Sequence, residues 1–550
     1  MRTSPSIRRW INLFTLALMI ATVLLTACGQ QSASPTAATK PAAGIAKLTV
    51  AIPQDGGPLN IYTSANNFDA LVELVYDKLF APSPYVTAPE SGLAESATQI
   101  DATTWVVKLR EGVMWHDGKP FTAEDVKFTF EYYRDGPPNR HTHHVSEVPR
   151  IEQITAEDAR TVRFICGYPC PTLGKITLAD LPILPKHIWE TVKEPRNFTE
   201  LPIGTGPYRL VEYQADQFYR FQANESYFQG HPIVDELVMP VIKDQSVTFT
   251  ALKTGQIDVA ARELPAELRG EFERLPGVKV VSTAPLSLLE LRLNYERPPF
   301  DRPEFRRALS LALDRQALVD TVLLGQGRPG TRGYPHPDSP WTKPDLSTPF
   351  DRGQAQALLD MLGFADRNGD GVRETTTGQP LQFTLKVAAT EPAWIRAAEL
   401  VSRQLAQVGI KLTLQTLDPA AVAKLFSSRD FDLYVNDITP HGVADPDQFI
   451  MSHRSGYLWK KGLPYPEMDA LFQEWQKTTT VDARKQVLFK MQELFNRRPT
   501  AIVLYYPEER WAFRPDVFNQ WAESPGYGIV HKWSFLPPDR RGGTIVREFK

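Results

Sequence analysis

Trp105, Val107 and Leu109 alternate with Val106, Lys108 and Arg110. This is the period-two rhythm of a strand with one buried face. Trp115-His116-Asp117-Gly118-Lys119-Pro120 then interrupts it with an Asp-Gly turn and a proline. Thr122 follows as a helix N-cap, with Glu124 and Asp125 in the first turn, where the helix dipole favours negative charge. Val126, Phe130 and Tyr133 recur at helical spacing. Residues 104–133 therefore predict a strand, a turn and a helix.

The same reading predicts elements along the rest of the chain. Strands are expected at Leu48–Pro53, Thr161–Phe164, Val234–Pro240, Ile257–Ala260, Leu291–Asn294, Phe431–Val435 and Ile502–Tyr506. Helices are expected at Phe68–Phe80, with Leu71, Leu74, Val75 and Leu79 on one face, and at Gln245–Lys253, with Gly255 as C-cap. Pro303–Leu324 is the strongest helix, and Glu467–Arg497 is largely helical. Ala397–Val408 ends at Gly409, and Ile410, Leu412 and Leu414 then alternate with polar residues, a βαβ-type unit. Gly204-Thr205-Gly206-Pro207 feeds another alternating strand. No helix opens there and no Lys-Ser/Thr follows, so the glycines read as a turn, not a phosphate cradle. Helices and strands alternate throughout, which predicts an α/β protein.

Length and charge narrow the options. The 550 residues suffice for two or three packed units. A formal net charge of −3 without a basic face argues against nucleic acid as a partner. The N-terminus is a targeting segment: Arg2, Arg8 and Arg9 precede an apolar run from Ile11 to Leu25. That run is short for a permanent span and ends in Leu25-Thr26-Ala27-Cys28, which resembles a bacterial lipobox. The resemblance implies cleavage before Cys28 and a lipid anchor on its thiol. Residues 28–46, rich in Ser, Ala, Thr and Pro, read as a flexible tether.

The ordered series LVYDKLF, WVVKLREGVMWHDGKPFTAEDVKFTF, ILPKHIW, IGTGPYRLVEY, LKTGQIDVA and FRRALSLALDR resembles the extracytoplasmic solute-binding proteins of peptide/nickel-type ABC importers. The likeness runs from Leu48 to about Trp521. It implies a two-lobe periplasmic-binding-protein-like fold of the class II type, with an additional subdomain inserted in lobe one. The division it implies is signal peptide 1–27, tether 28–46, lobe one 47–85 and 203–285, inserted subdomain 86–202, lobe two 286–510, and a return to lobe one over 511–550. It further implies a lipid-anchored monomer on the extracytoplasmic face, which encloses a peptide or similar polar solute between its lobes and delivers it to permease subunits. An oligosaccharide or a metal chelate is the alternative cargo, and a surface hydrolase the alternative class. G-x-S-x-G, H-E-x-x-H and P-loop motifs do not occur, so neither an enzyme nor a cofactor is expected.

Candidate site residues cluster in the loop 436–449. In the resembling peptide binders a loop ending in Asp-Pro-Asp carries an acidic residue a few positions earlier, which holds the ligand's α-amino group. Here Asp445-Pro446-Asp447 matches, but the acidic position falls on Gly442. Asn436, Asp437, His441, Gly442 and Asp445 are expected to line the pocket, with Tyr457 and Trp459 as stacking surfaces. Trp115 reads as a packing residue before a stacking one, and Tyr465 suits either role equally. Cys166 and Cys170, four apart, fit either a small disulfide loop or two buried thiols. Arg140-His141-Thr142-His143-His144 reads as a solvated loop rather than a metal site. Asp366, Asn368 and Asp370 open a D-x-N-x-D-G calcium-type loop whose twelfth position is Thr377, with Glu374 as a substitute.

Overall fold

The computed structural model describes residues 44–63, 69–81, 90–139, 141–283, 286–438, 449–450, 454–455, 465–524, 527–541 and 546–549. Cys28, His441, Gly442, Asp445, Tyr457 and Trp459 lie outside the described residues.

Lobe one is built on a seven-stranded mixed sheet. Leu48–Ala51 runs parallel to both Glu236–Pro240 and Val259–Ala260 at its centre. Phe218–Ala223 and Tyr208–Gln214 extend it antiparallel on one side. Glu509–Phe513 and Lys279–Thr283 extend it on the other. The helix expected over 68–80 covers only Asp69–Val75. Its next turn would need the Val75 carbonyl, but the Gly206 amide takes it at 2.8 Å. Phe80–Ala81 instead pairs as a strand with Glu90–Ser91. A Cβ on Gly204 would stand 1.9 Å from the Val75 oxygen, so glycine here permits close backbone approach.

The subdomain carries an antiparallel sheet in the order Ala94–Gln99, Thr104–Leu109, Thr161–Cys166, Ile151–Asp158. Helix Ala123–Asp135 lies over it, with Phe130 packed edge-on to Phe164 at 5.0 Å between ring centroids. Asp125 accepts from the Thr122 amide at 2.9 Å and from the Lys186 amide at 3.0 Å, fixing both the helix start and the entry to the short helix Lys186–Trp189. Trp115, Val126, Phe130 and Trp189 belong to the same apolar cluster as Leu48, Leu74 and Leu237. Subdomain and lobe one thus share one core.

Lobe two has a six-stranded sheet in the order Gly327–Pro329, Ala501–Pro507, Leu288–Leu293, Leu433–Ile438, Gln382–Ala388, Lys411–Leu417. Helix Pro392–Ala406 connects the parallel pair Gln382–Ala388 and Lys411–Leu417, with Gly409 at φ +80°, as the βαβ pattern predicts. The single helix expected over 303–324 is two, Pro303–Leu311 and Arg315–Val322. Asp314 starts the second by accepting from the Ala317 amide at 3.0 Å. The helical stretch at 467–497 likewise divides into Pro466–Gln476 and Val481–Arg497, the latter capped by Thr480. Met468, Trp475, Leu488 and Met491 of this pair form a third cluster with Trp341 and Phe449. Among the described residues no helix is long and apolar enough to cross a membrane.

Candidate functional site at the junction of the lobes

The chain crosses from lobe one to lobe two after Thr283 and returns at Glu509. The outgoing and returning segments lie side by side. Thr283 pairs with Glu509 in the lobe-one sheet, and Leu289 pairs with Tyr505 in the lobe-two sheet. Glu509 is 2% exposed and joins the two crossings: its carboxylate accepts from the Thr283 hydroxyl and from the Ser287 hydroxyl, each at 3.0 Å. Burial pushes its carboxyl up to about 7, against the pull of these two hydroxyl donors.

Three further carboxylates face this hinge. Glu263 follows strand Val259–Ala260 of lobe one and is placed by the Leu264 amide, which donates to the Arg510 carbonyl at 2.7 Å. Glu391 stands before helix Pro392–Ala406 of lobe two, with Arg262 of lobe one 3.6 Å away. Asp437 projects from strand Leu433–Ile438, opposite Leu289. Burial raises the Glu263 carboxyl well above its usual range, reinforced by Glu509, Asp437 and Glu391 and opposed by Arg262. Burial also raises Glu391, and lifts Asp437 to about 6 with help from Glu290. Glu263 and Asp437 are nonetheless exposed to solvent, so their neighbours crowd them without covering them. A side chain that is both wetted and enclosed on most sides stands on the wall of a crevice. Carboxylates from both lobes, offset here by Arg262, make that crevice acidic and suit it to a ligand's ammonium group.

Of the residues expected to line the pocket, Asp437 is on this wall. Asn436, beside it, donates through Nδ2 to Glu290 at 3.3 Å and to the Asp437 carbonyl at 2.8 Å. Glu290 is itself buried and ion-paired with Arg292. Trp115 packs edge-on to Phe121 inside the core, and Tyr465 is buried with its hydroxyl donating to the Arg498 carbonyl at 3.2 Å. Both are packing residues. The His141–His144 tract is not solvated as the sequence predicts. His141, His143 and His144 are buried, and Asp180 approaches His144 Nε2 at 3.0 Å and His141 Nδ1 at 3.4 Å. An acid distant in sequence draws the tract inward. Sequence reasoning missed Glu263, Glu391 and Glu509. They stand on three separate elements at no diagnostic spacing, so no local signal marks them.

The lobes also meet away from the hinge. Arg396 of lobe two reaches Glu267 of lobe one at 3.3 Å. Arg484, fully buried on helix Val481–Arg497, donates to the Thr172 hydroxyl at 2.7 Å and to the Pro169 carbonyl. Its guanidinium lies 4.7 Å from the Trp475 ring centroid. Pro169 belongs to the loop closed by a disulfide between Cys166 and Cys170. Glu147 of the subdomain is ion-paired with Arg454 of lobe two.

Two α/β lobes, joined by paired crossing strands around a polar crevice, define a receptor that encloses a ligand by bending at a hinge. The profile of the bacterial extracellular solute-binding proteins, family 5 Middle, matches residues 88–460, and the chain belongs to that family. It is 27% identical to the oligopeptide-binding protein AppA of Bacillus subtilis over 94% of this chain and 97% of that protein. The structure of AppA in complex with a nonapeptide superposes with a TM-score of 0.75 at 24% identity, covering 92% of this chain and 99% of that one. A periplasmic oligopeptide-binding protein of Thermotoga maritima bound to mannohexaose gives 0.76 at 24% identity, with 92% and 99% covered. NikZ of Campylobacter jejuni in complex with Ni(L-His) gives 0.75 at 22% identity, with 86% and 94% covered. These structural likenesses establish the two-lobe fold with its extra subdomain.

Proposed function

We propose that the protein captures a short peptide, or a similar polar solute bearing an ammonium group, between its lobes and delivers it to the permease of an ABC importer. The observation that carries this reading is the acidic crevice formed by Glu263, Glu391 and Asp437, with the buried Glu509 behind them. An α-ammonium group enclosed there gains charge-assisted hydrogen bonds and relieves the mutual repulsion of the carboxylates. Asp437 thereby takes the role that Gly442 does not offer. The relatives that bind oligopeptides support the same cargo. Asn436, His441, Asp445, Tyr457 and Trp459 complete the proposed binding wall.

In this reading Cys28 carries the lipid, residues 28–46 form the tether, and the monomeric body divides as 47–85 and 203–285 with 509–550 for lobe one, 86–202 for the subdomain, and 286–508 for lobe two, the last boundary drawn two residues earlier than expected because strand Glu509–Phe513 pairs in the lobe-one sheet. The protein works on the extracytoplasmic face without turning over its cargo. Mass spectrometry of small molecules released from the purified, denatured protein tests the cargo. A mixture of short peptides is expected. A homogeneous sugar or a metal chelate overturns it, and hydrolysis of a peptide panel overturns the binding role. Cys28→Ala is expected to move the protein from the membrane to the soluble fraction, and unchanged fractionation refutes the anchor.

A further inference from the structure

We propose that the turn at residues 366–374 of lobe two holds a calcium ion. Asp366, Asp370 and Glu374 each present a carboxylate oxygen, and the three atoms lie within 4.8 Å of one another. Asp366 and Asp370 are exposed, whereas Glu374 is 5% exposed. One Glu374 oxygen accepts from the Arg367 amide at 2.8 Å. The other, Oε1, is buried and has no hydrogen-bond partner among the described residues. A buried carboxylate oxygen without a donor is costly unless a cation meets it. The Glu374 carboxylate stands beside those of Asp366 and Asp370, and with Asp370 it lines a hollow open to solvent.

The backbone readies the other oxygens. Asp366 accepts from the amides of Gly369 at 2.7 Å and Gly371 at 3.0 Å, and Asp370 from that of Val372 at 2.8 Å. Gly371, at φ +84°, stands sixth from Asp366, where a calcium loop needs its sharp turn. Glu374 is ninth, and supplies the carboxylate that Thr377 at the twelfth position lacks. The two cations that line the hollow are Arg367 and Lys411. The Arg367 guanidinium is occupied by the carbonyls of Gly363, Glu374 and Thr375, at 2.9, 2.9 and 2.8 Å. A hard cation with flexible coordination by six to eight oxygens fits carboxylates, carbonyls and water in such a turn, and magnesium with its strict octahedron fits less well.

The test uses the full chain, freed of divalent ions with chelator and titrated calorimetrically with calcium and then with magnesium. One calcium per chain is expected, bound more tightly than magnesium, together with a rise in the thermal midpoint that chelator reverses. Glu374→Gln is expected to weaken calcium binding by at least about tenfold. Asp370→Asn, at an exposed position that leaves the core untouched, is expected to weaken it as well and serves if the Glu374 variant fails to fold. No calcium heat and no shift in the wild-type protein, tighter magnesium than calcium, or undiminished binding in the Asp370 variant overturns the proposal.

Discussion

Arg484→Ala removes a contact that ties helix Val481–Arg497 of lobe two to the subdomain. The guanidinium is fully buried and spans lobe two and the subdomain through the Thr172 hydroxyl and the Pro169 carbonyl. When the lobes part, water replaces both partners, so the loss falls on the closed state. A hydrogen bond from a charged donor contributes about 1.5–3 kcal/mol, so at the lower end the two together contribute about 3 kcal/mol. With a factor of ten per 1.4 kcal/mol, apparent affinity for the enclosed solute falls roughly hundredfold. Arg484→Lys keeps the charge but not the fork that reaches two acceptors, and should fall between. The assays are calorimetric titration with the solute identified by mass spectrometry, and small-angle scattering with and without it. The variant should need more solute to reach the same compact radius. If it folds with wild-type midpoint and its affinity is unchanged, subdomain and helix pair stay docked in both states and the reasoning fails.

The crevice carboxyls set a pH dependence. Asp437 is raised to about 6 and Glu509 to about 7, and Glu263 and Glu391 are raised as well, so the folded form holds their protons more tightly than the unfolded chain. Their contribution is full below the ordinary carboxylate range and is lost as pH rises through about 6 and then about 7. The thermal midpoint of ligand-free protein should decline over that window, less so in Asp437→Asn; a flat profile refutes the assignment. Lys532→Met strips Asp77 of a buried partner at 2.8 Å and should cost about 3–5 kcal/mol in urea unfolding. A loss near that of a surface pair, below about 1 kcal/mol, refutes it. Gly204→Ala, aimed at the Val75 carbonyl, should cost about 1–3 kcal/mol or more, whereas Gly112→Ala, which meets nothing within 4 Å, should cost only its positive-φ strain, about 1 kcal/mol. Equal losses refute the close-approach reading.

Local chemistry made much of the fold legible. Thr122 and Asp125 start their helix, Gly255 and Gly409 end theirs at positive φ, and the alternation after Gly409 is a strand parallel to Gln382–Ala388. The misreadings arise where a distant partner decides. The helix from Asp69 stops because Gly206, far along the chain, takes its carbonyl, and the histidine tract is drawn inward by Asp180. At Asp314 the cause was local: an Asp inside an apolar periodicity begins a second helix. The crevice was legible only at Asp437. Glu263, Glu391 and Glu509 meet through the pairing of strands that lie hundreds of residues apart, and Arg484 finds Pro169 only when two packed bodies meet.

Thr283 and Glu509 stand opposite each other as partners in an antiparallel ladder, so residues 284–508 leave and re-enter lobe one at a single point. Facing residues of such a ladder are about 5 Å apart, a gap that a two-residue hairpin turn spans. Lobe two is therefore one uninterrupted length of polypeptide suspended between two neighbouring strands of the lobe-one sheet, the form that a domain acquired by insertion would take. The order of synthesis follows. Strand Glu509–Phe513 sits between Lys279–Thr283 and Val259–Ala260, so the sheet of lobe one has a gap until nearly the whole chain exists. Lobe two can assemble as it emerges, while lobe one must wait for the last strand to return.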